Sequence, residues 1–355
     1  MKKYYLFLAV IALIFASCQN SDNNKTEKIT DTVADFSQED KDLLTKSQAM
    51  FKTTLQDAEA EVSEITMAQI KLGKILYFDT RLSMNETQSC NTCHNLSTYG
   101  VDNLPTSPGD NGELGTRNSP TVIYAALNGK QFWDGRAADV EEQAGMPITN
   151  PVEMAIPNEQ FLVDRLSKIE GYKTLFAAAF PDEKEPLTFA NIQKAIAEFE
   201  KTLITVDNFD KYLMGDISAL NEQERKGLNT FISTGCATCH AGVAVGGDLF
   251  MKFGLFQPYE ELTNSKVVDK GKFDVTGNEA DMFVFKSPSL RNIAKTSPYF
   301  HDGSVESLEQ AIDIMAKAEL GKELSEQEIS EIATFLNALT GELPDEVKTA
   351  PQMVQ

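Results

Sequence analysis

The sequence predicts a mainly helical protein of two domains, and three observations support this prediction. The chain has 355 residues, and about 310 remain after the N-terminal segment considered below, which suits two domains of ordinary size. One short cysteine motif occurs twice, near residues 90 and 236. Apolar residues ahead of each copy recur at helical spacing, and the chain has no convincing alternating pattern typical of strands.

Helix start and stop signals accompany this spacing. A capping box of Asn221 and Glu224 precedes the second cysteine motif. Another, of Ser325 and Glu328, begins the last apolar stripe, which Gly341 ends. The apolar positions are Met67, Ile70, Ile75 and Leu76; Phe189, Ile192, Ile196, Phe199 and Leu203; Leu228 and Phe231; and Ile329, Ile332, Leu336 and Leu339.

The helical pattern breaks at Val206-Asp-Asn-Phe-Asp, which predicts the domain boundary. We therefore expect an N-terminal domain over 46–205, a C-terminal domain over 206–345 and a tail over 346–355. In each domain a long stretch rich in Gly, Pro and Asn follows the cysteine motif, over 100–120 and 241–281.

The two cysteine motifs are Cys90-Asn-Thr-Cys93-His94 and Cys236-Ala-Thr-Cys239-His240. In a CxxCH sequence the two thiols add across the vinyl groups of one haem, and the histidine ligates the iron from one face. The sequence therefore predicts two covalently attached c-type haems, so that the fold class is mainly α with two cytochrome c-like haem domains.

A disulfide or a zinc site is the alternative interpretation of these motifs. A structural zinc ion needs four donors at each site. Outside the motifs the chain has one histidine, His301, and one cysteine, Cys18. The chain therefore has too few other donors for two zinc sites, which favours haem.

Cys18 belongs to a predicted export signal. Residues 1–17 have a basic start, a short apolar run and small residues before the cysteine, which is typical of a bacterial lipoprotein signal. Cleavage would leave Cys18 lipidated at the head of a flexible polar tether over 18–45. We expect a periplasmic, membrane-tethered lipoprotein without a spanning helix, and a retained signal anchor is the alternative.

The charge balance bears on partners. A formal net charge of -21 argues against nucleic acid and against docking on an anionic membrane surface. A basic electron carrier would be steered toward such a protein. An acidic surface would equally serve to keep an exported protein soluble, so composition leaves both interpretations open.

Longer motifs resemble a known family over nearly the whole chain after the signal. They are Ser89-Cys-Asn-Thr-Cys-His-Asn-Leu-Ser97 with Gly100-Val-Asp-Asn-Leu-Pro-Thr-Ser107, Arg117-Asn-Ser-Pro-Thr-Val, Gln131-Phe-Trp-Asp-Gly-Arg-Ala, and Pro288-Ser-Leu-Arg-Asn with Pro298-Tyr-Phe-His-Asp-Gly303. The family is the bacterial dihaem cytochrome c peroxidases. The resemblance implies that the N-terminal domain carries the peroxidatic haem and the C-terminal domain an electron-transfer haem.

In the first domain the resemblance implies His94 as the proximal iron ligand and Glu153 as the distal acid-base carboxylate. A carboxylate there can take a proton from one peroxide oxygen and return it to the other. Gln143 and Pro147 match residues that line the same pocket. Without the resemblance, Glu153 is one of 53 acidic residues and would be interpreted as a solvated charge.

In the second domain the resemblance implies His240 and Met315 as the two iron ligands, a pair that raises the reduction potential as a relay requires. Met315 would otherwise be interpreted as helix core. Trp133 matches the residue that bridges the two haems. His301 is expected to have a pocket or structural role rather than to bind iron.

The resemblance also implies one calcium ion near the haem interface. Its ligands would be largely main-chain oxygens of Asn118, Thr296 and Pro298, which suit a hard cation but leave almost no side-chain signature.

One position departs from the family pattern. Asp110 stands where the best-known members carry a second histidine on the resting peroxidatic haem, and no histidine lies between His94 and His240. Asp110 is a poor haem ligand and is expected to be a turn residue beside Gly109. Our hypothesis is a peroxidatic haem whose distal face is open, or holds only water, in every oxidation state, so that the enzyme needs no reductive activation.

The resemblance thus implies a periplasmic peroxidase that reduces hydrogen peroxide to water. It also implies a homodimer. The electron donor stays open among a small cytochrome c, a cupredoxin and a quinol-linked chain. Two alternatives stay open. Dihaem relatives that mature a cofactor in a partner protein also lack the distal histidine, although they use tyrosine where Met315 stands. A dihaem carrier without catalysis is the other.

Overall fold

Helices form most of the regular structure, as the sequence predicted. The computed structural model describes residues 36–54, 63–265 and 267–355. The helices are α1 Gln38–Met50, α2 Glu64–Tyr77, α3 Cys90–Cys93, α4 Val140–Thr149, α5 Glu159–Leu166, α6 Glu170–Ala179, α7 Phe189–Glu200, α8 Asn208–Leu213, α9 Glu222–Thr234, α10 Tyr259–Thr263, α11 Phe273–Thr276, α12 Leu308–Leu320, α13 Glu326–Ala338 and α14 Asp345–Lys348. Two short strands, β1 Phe250–Lys252 and β2 Val284–Lys286, pair antiparallel.

The predicted helix signals are present at the expected ends. The Asn221 and Glu224 box caps α9, and the Ser325 and Glu328 box caps α13. Gly235 ends α9 with a φ of 111°, in the left-handed region that favours glycine. This turn leads directly into the second CxxCH motif.

The helix before each CxxCH motif crosses a later helix at a glycine. A Cβ atom on Gly73 of α2 would lie 1.8 Å from the carbonyl oxygen of Ala195 on α7. A Cβ atom on Gly227 of α9 would lie 2.0 Å from the carbonyl oxygen of Glu331 on α13. Both crossings therefore need glycine for close backbone approach, and the two halves of the chain repeat one packing arrangement.

Two apolar clusters surround these crossings. The first draws its buried side chains from 72–203 together with Leu343, and includes the predicted stripe on α7. The second is drawn from 209–339 together with Phe51. Residues Phe36–Gln355 nevertheless group as one compact unit, and the domain boundary at residue 205 stays a prediction.

The predicted C-terminal limit of the flexible tether is wrong. It was expected to reach residue 45, but α1 begins at Gln38, where Ser37 caps it. Leu43 and Leu44 pack against the second cluster, and Asp40 pairs with Arg225 at 2.6 Å. The two adjacent leucines thus dock this segment on a core formed much later in the chain.

Residues 1–35 lie outside the described part of the structure, and with them the predicted signal, Cys18 and most of the tether. Among the helices of the described ranges, none has the length and apolar content needed to cross a membrane. At the other end, the predicted tail packs against the first cluster through Val347, Met353 and Val354.

A fully buried arginine joins distant parts of the chain. Nη1 of Arg291 lies 2.6 Å from Asp207, and Nη2 lies 3.0 Å from Asp210, with all three side chains excluded from solvent. The guanidinium also donates to the carbonyl oxygens of Val243 and Lys52. Because burying unpaired charges is costly, each member of this group requires the others.

We expect Arg291→Met to lower the free energy of unfolding by about 3–5 kcal/mol, since it leaves two carboxylates buried without a cation. Urea unfolding of the haem-loaded protein, followed by far-ultraviolet circular dichroism, measures this. Lys173→Met is the control, because the exposed pair of Lys173 and Glu170 is worth at most about 1 kcal/mol. Equal losses in the two variants would contradict the prediction.

Candidate functional site

Both CxxCH motifs fold into the same tight turn. The backbone N–H of His94 donates to the carbonyl of Cys90 at 2.9 Å, and that of His240 donates to the carbonyl of Cys236 at 3.0 Å. The four motif thiols are free in the described structure. Within the same ranges, no three His, Cys, Asp or Glu side chains assemble as a metal site. This geometry lends no support to the disulfide and zinc alternatives.

Each motif histidine is held through its Nδ1 atom. Nδ1 of His94 lies 3.0 Å from the carbonyl oxygen of Pro120, and Nδ1 of His240 lies 3.3 Å from Oγ of Ser287. Burial lowers the pKa of both imidazoles, to about 4 for His240. A carbonyl only accepts, so Nδ1 of His94 carries the proton and Nε2 is left free to bind a metal, as for most histidine ligands.

The second motif opens on a large apolar cavity. His240 and Met315 both line it, together with side chains of α9, α12 and α13. Its lining includes Phe231, Cys236, Cys239, Ile312, Ile332 and Leu336. Free thiols, a neutral imidazole, a thioether and apolar walls are the groups a c-type haem requires, so these residues fit that cofactor.

The first motif is accompanied by a more polar cavity built around Glu153. Phe132, Arg136, Pro147 and Asn150 line it with Glu153, and Nδ2 of Asn150 donates to Oε1 of Glu153 at 2.8 Å. Burial raises the pKa of Glu153, while the charge of Arg136 and the hydrogen bond from Asn150 oppose the rise. A carboxyl of this kind can exchange protons closer to neutral pH than an exposed one.

Glu153 lies close enough to the first CxxCH motif for its charge to act on the Cys93 thiol. Burial raises the pKa of the Cys93 thiol to about 11, and the negative charge of Glu153 contributes to that rise. Gln143 lies on α4 one turn before Pro147 and is half-buried, but it is not among the residues that line the Glu153 cavity. The structure therefore groups Glu153, Pro147 and the first motif, with Gln143 nearby on the same helix.

Trp133 connects the remaining predicted residues. Its Nε1 donates to the carbonyl of Asn118 at 2.9 Å, and the N–H of Asn118 donates to the carbonyl of His301 at 2.7 Å. Trp133, Asn118, Thr296 and Pro298 all line the large cavity of the second motif. The three residues predicted to bind calcium are thus brought to one cavity.

His301 is buried with one nitrogen unsatisfied. It is 2% exposed, its ring stacks on Phe285 at 4.2 Å, and its Nε2 has no hydrogen-bond partner. Trp133 lies edge-on to it at 6.4 Å. The role expected for His301 stays a prediction.

Asp110 is a turn residue whose carboxylate is fully engaged. The N–H of Gly112 donates to the carbonyl of Gly109 at 2.9 Å. The Asp110 carboxylate accepts hydrogen bonds from Ser83, Asn85 and Thr87. Burial acts to raise the pKa of Asp110, but these hydrogen bonds outweigh it and the pKa is lowered.

Sequence reasoning missed two residues near the first motif. Arg136 falls inside a quoted motif, yet only the fold shows that it lies over the ring of Phe132 at 3.4 Å and lines the Glu153 cavity. Glu200 is 5% exposed with one unpartnered oxygen, and burial raises its pKa to about 8. Its place at the end of an apolar stripe is a weak signal that could have found it.

Replacing both thiols of one motif should remove one covalent haem. We expect Cys236→Ala/Cys239→Ala to carry half the covalently bound haem of the native protein, measured as haem absorbance per chain after acid–acetone extraction. Cys90→Ala/Cys93→Ala in the first motif is the matched variant and should also carry half. Two covalent haems in either double variant would overturn the assignment.

Comparison with known proteins gives consistent similarities. The sequence model of the di-haem cytochrome c peroxidase family matches residues 67–218. The cytochrome c551 peroxidase of Nitrosomonas europaea is 47% identical over 277 residues, which cover 78% of this chain and 80% of that protein. The cytochrome c551 peroxidase of Pseudomonas aeruginosa is 44% identical over 302 residues, or 84% of this chain and 86% of that one.

More distant similarities include a second kind of relative. The methylamine utilization protein MauG of Methylorubrum extorquens is 34% identical over 321 residues, which cover 87% of this chain and 88% of that protein. A solved structure of a MauG-like protein associated with microbial copper homeostasis superposes with a TM-score of 0.70 at 31% identity, covering 83% of this chain and 93% of that one.

Proposed function

Because the chain belongs to the di-haem cytochrome c peroxidase family, we propose that it reduces hydrogen peroxide to water with electrons relayed through the haem of its second domain. The family carries two c-type haems, and the two CxxCH motifs are their attachment sites. The single observation that carries the proposal is the half-buried carboxyl of Glu153, which lies with Arg136 in a cavity beside the first motif.

Glu153 is the proton-transfer group of this proposal. The haem, when bound, supplies the electrons that break the oxygen–oxygen bond. The carboxylate takes the proton of the first peroxide oxygen and delivers it to the second, which leaves as water. Asn150 holds one carboxylate oxygen in place, and the positive charge of Arg136 limits the rise in the pKa of Glu153. Pro147, on α4, lines the same cavity.

The second domain is the electron relay. His240 and Met315, which line the same cavity, would hold its iron, and this ligand pair favours a high reduction potential. Trp133 lies in the wall of the same cavity and would connect the two haems. One calcium ion would sit nearby on oxygens of Asn118, Thr296 and Pro298, which line that cavity with neutral donors suited to a hard cation.

The distal face of the first haem would be open in every oxidation state. Asp110 stands at the position of the resting distal histidine, and its carboxylate is already occupied by donors from Ser83, Asn85 and Thr87. The sequence has no histidine between His94 and His240 that could take the place of the distal ligand. An enzyme of this kind starts turnover without prior reduction.

We also propose the finer setting of the enzyme. It would be a periplasmic lipoprotein tethered through Cys18, a homodimer, and a partner of a small cytochrome c or a cupredoxin. The acidic charge of the chain suits a basic donor. Met315 disfavours the cofactor-maturation alternative, in which tyrosine occupies that position, and the Glu153 cavity disfavours a pure carrier.

Peroxide consumption by the oxidised enzyme tests the proposal directly. We expect equal initial rates with and without prereduction, because no distal ligand has to leave. An electron paramagnetic resonance spectrum of the oxidised protein checks the same point independently. A lag that prereduction abolishes, or a low-spin bis-histidine signal from the first haem, would refute the open distal face while leaving peroxidase activity in place.

Glu153→Gln should lower kcat about 10²- to 10⁴-fold, the usual contribution of a general acid–base group. Because burial raises the pKa of Glu153, the native rate should fall as the pH drops through this raised pKa and the carboxylate becomes protonated. The variant should lack that acidic limb. Glu159→Gln, on the exposed start of α5, is the control and should keep both rate and profile.

A further inference from the structure

Three separate segments meet at Asp110. They are the 83–88 segment before the first CxxCH motif, the turn at 109–112, and the 150–154 turn that carries Glu153. We propose that Asp110 is a positioning residue, whose carboxylate fixes the Glu153 turn relative to the segment that leads into the first haem attachment site. This inference rests on the proposed function of Glu153.

The carboxylate holds the 83–88 segment through four hydrogen bonds. Oδ1 accepts from Oγ of Ser83 at 2.8 Å, from Oγ1 of Thr87 at 2.6 Å and from the N–H of Thr87 at 3.4 Å. Oδ2 accepts from the N–H of Asn85 at 2.6 Å. Both oxygens are therefore used, and every partner is a donor.

The backbone of the same turn holds Glu153. The N–H of Asp110 donates to the carbonyl oxygen of Glu153 at 2.7 Å. A Cβ atom on Gly109 would lie 1.8 Å from the carbonyl oxygen of Val152, so the two turns are in direct backbone contact. Asp110 thus binds the Glu153 turn through its backbone N–H and the 83–88 segment through its side chain.

A further backbone hydrogen bond joins two of these three segments directly. The N–H of Met84 donates to the carbonyl oxygen of Met154 at 2.8 Å, which joins the 83–88 segment directly to the Glu153 turn. Thr87 is followed after one residue by Ser89, the N-cap of α3, and then by Cys90. The distance from Asp110 to the haem-attaching cysteine is therefore spanned by a short, hydrogen-bonded segment.

An ionised carboxylate suits this position better than an amide. An asparagine would keep one accepting oxygen and place a donor where the backbone N–H of Asn85 or that of Thr87 now donates. At least one donor would then face another donor. The side chain at position 110 therefore serves the geometry of Glu153 rather than the iron.

A double-mutant cycle tests whether Asp110 acts through Glu153. We expect Asp110→Asn to lower kcat between about 10- and 100-fold, the cost of slight misplacement of a catalytic group. In a Glu153→Gln background the same substitution should lower kcat no further. Equal losses in both backgrounds, or no loss in the native background, would overturn the inference.

Thr87 supplies a milder variant if Asp110→Asn fails to fold. Thr87→Val removes the 2.6 Å bond to Asp110 and should lower kcat, whereas Thr87→Ser keeps the hydroxyl and should restore it. Asp164→Asn on the exposed face of α5 is the matched control. A valine variant as active as the serine variant would count against the inference.

Hydrogen exchange gives a readout that does not depend on turnover. Asp110→Asn and Thr87→Val should speed amide exchange across 83–88 and 109–112 and at the Glu153 turn, while Asp164→Asn should not. Unchanged exchange at all three segments would overturn the inference. If instead Glu153→Gln alone leaves peroxide turnover intact, the proposed function fails, and the exchange data still decide whether Asp110 orders the turn.

Discussion

The buried guanidinium of Arg291 is the interaction on which the two halves of the molecule depend. It lies where the chain passes from the first cluster to the second, against Asp207 and Asp210. It lies 5.6 Å from the ring of Tyr124, which belongs to the first cluster. Its carbonyl partners come from the end of α1 and from the loop after the second CxxCH motif. One cation therefore connects the first cluster, the 207–210 segment and the loop after the second CxxCH motif.

The two halves of the chain share one helix-packing arrangement, but the cavities near their CxxCH motifs differ in chemistry. The crossings at Gly73 and Gly227 are alike, and both motif histidines are held through Nδ1. The two cavities differ because of segments that lie outside these shared features. In the first half the chain adds α4 and a turn that place a carboxyl beside the motif, while in the second half α12 places Met315 in an apolar wall. A polar cavity suits proton transfer, and an apolar one suits electron relay.

The sequence predicted what is determined locally. Capping boxes at α9 and α13, the stripe on α7 and the two cysteine motifs depend on residues close together in the chain, and the structure has them where expected. What it could not predict depends on contacts between distant residues. The docking of α1 on the second cluster, the place of Arg136 over Phe132 and the donors around Asp110 follow only from the tertiary fold. The role proposed for Glu153 came from the family resemblance, because its local sequence does not distinguish it from the other acidic residues.

Asp110 and Glu153 carry the same functional group, but their surroundings give the two carboxyls different properties. Asp110 and Glu153 belong to turns joined by a 2.7 Å backbone hydrogen bond, yet their pKa values move in opposite directions. Hydrogen bonds from Ser83, Asn85 and Thr87 lower that of Asp110, and burial raises that of Glu153. A carboxylate that stays ionised can hold a structure at all working pH values, and one with a raised pKa can accept and release a proton. In our proposals Asp110 positions the turn and Glu153 transfers the proton. A histidine at position 110 could not satisfy the same four donors, because an imidazole offers at most one acceptor.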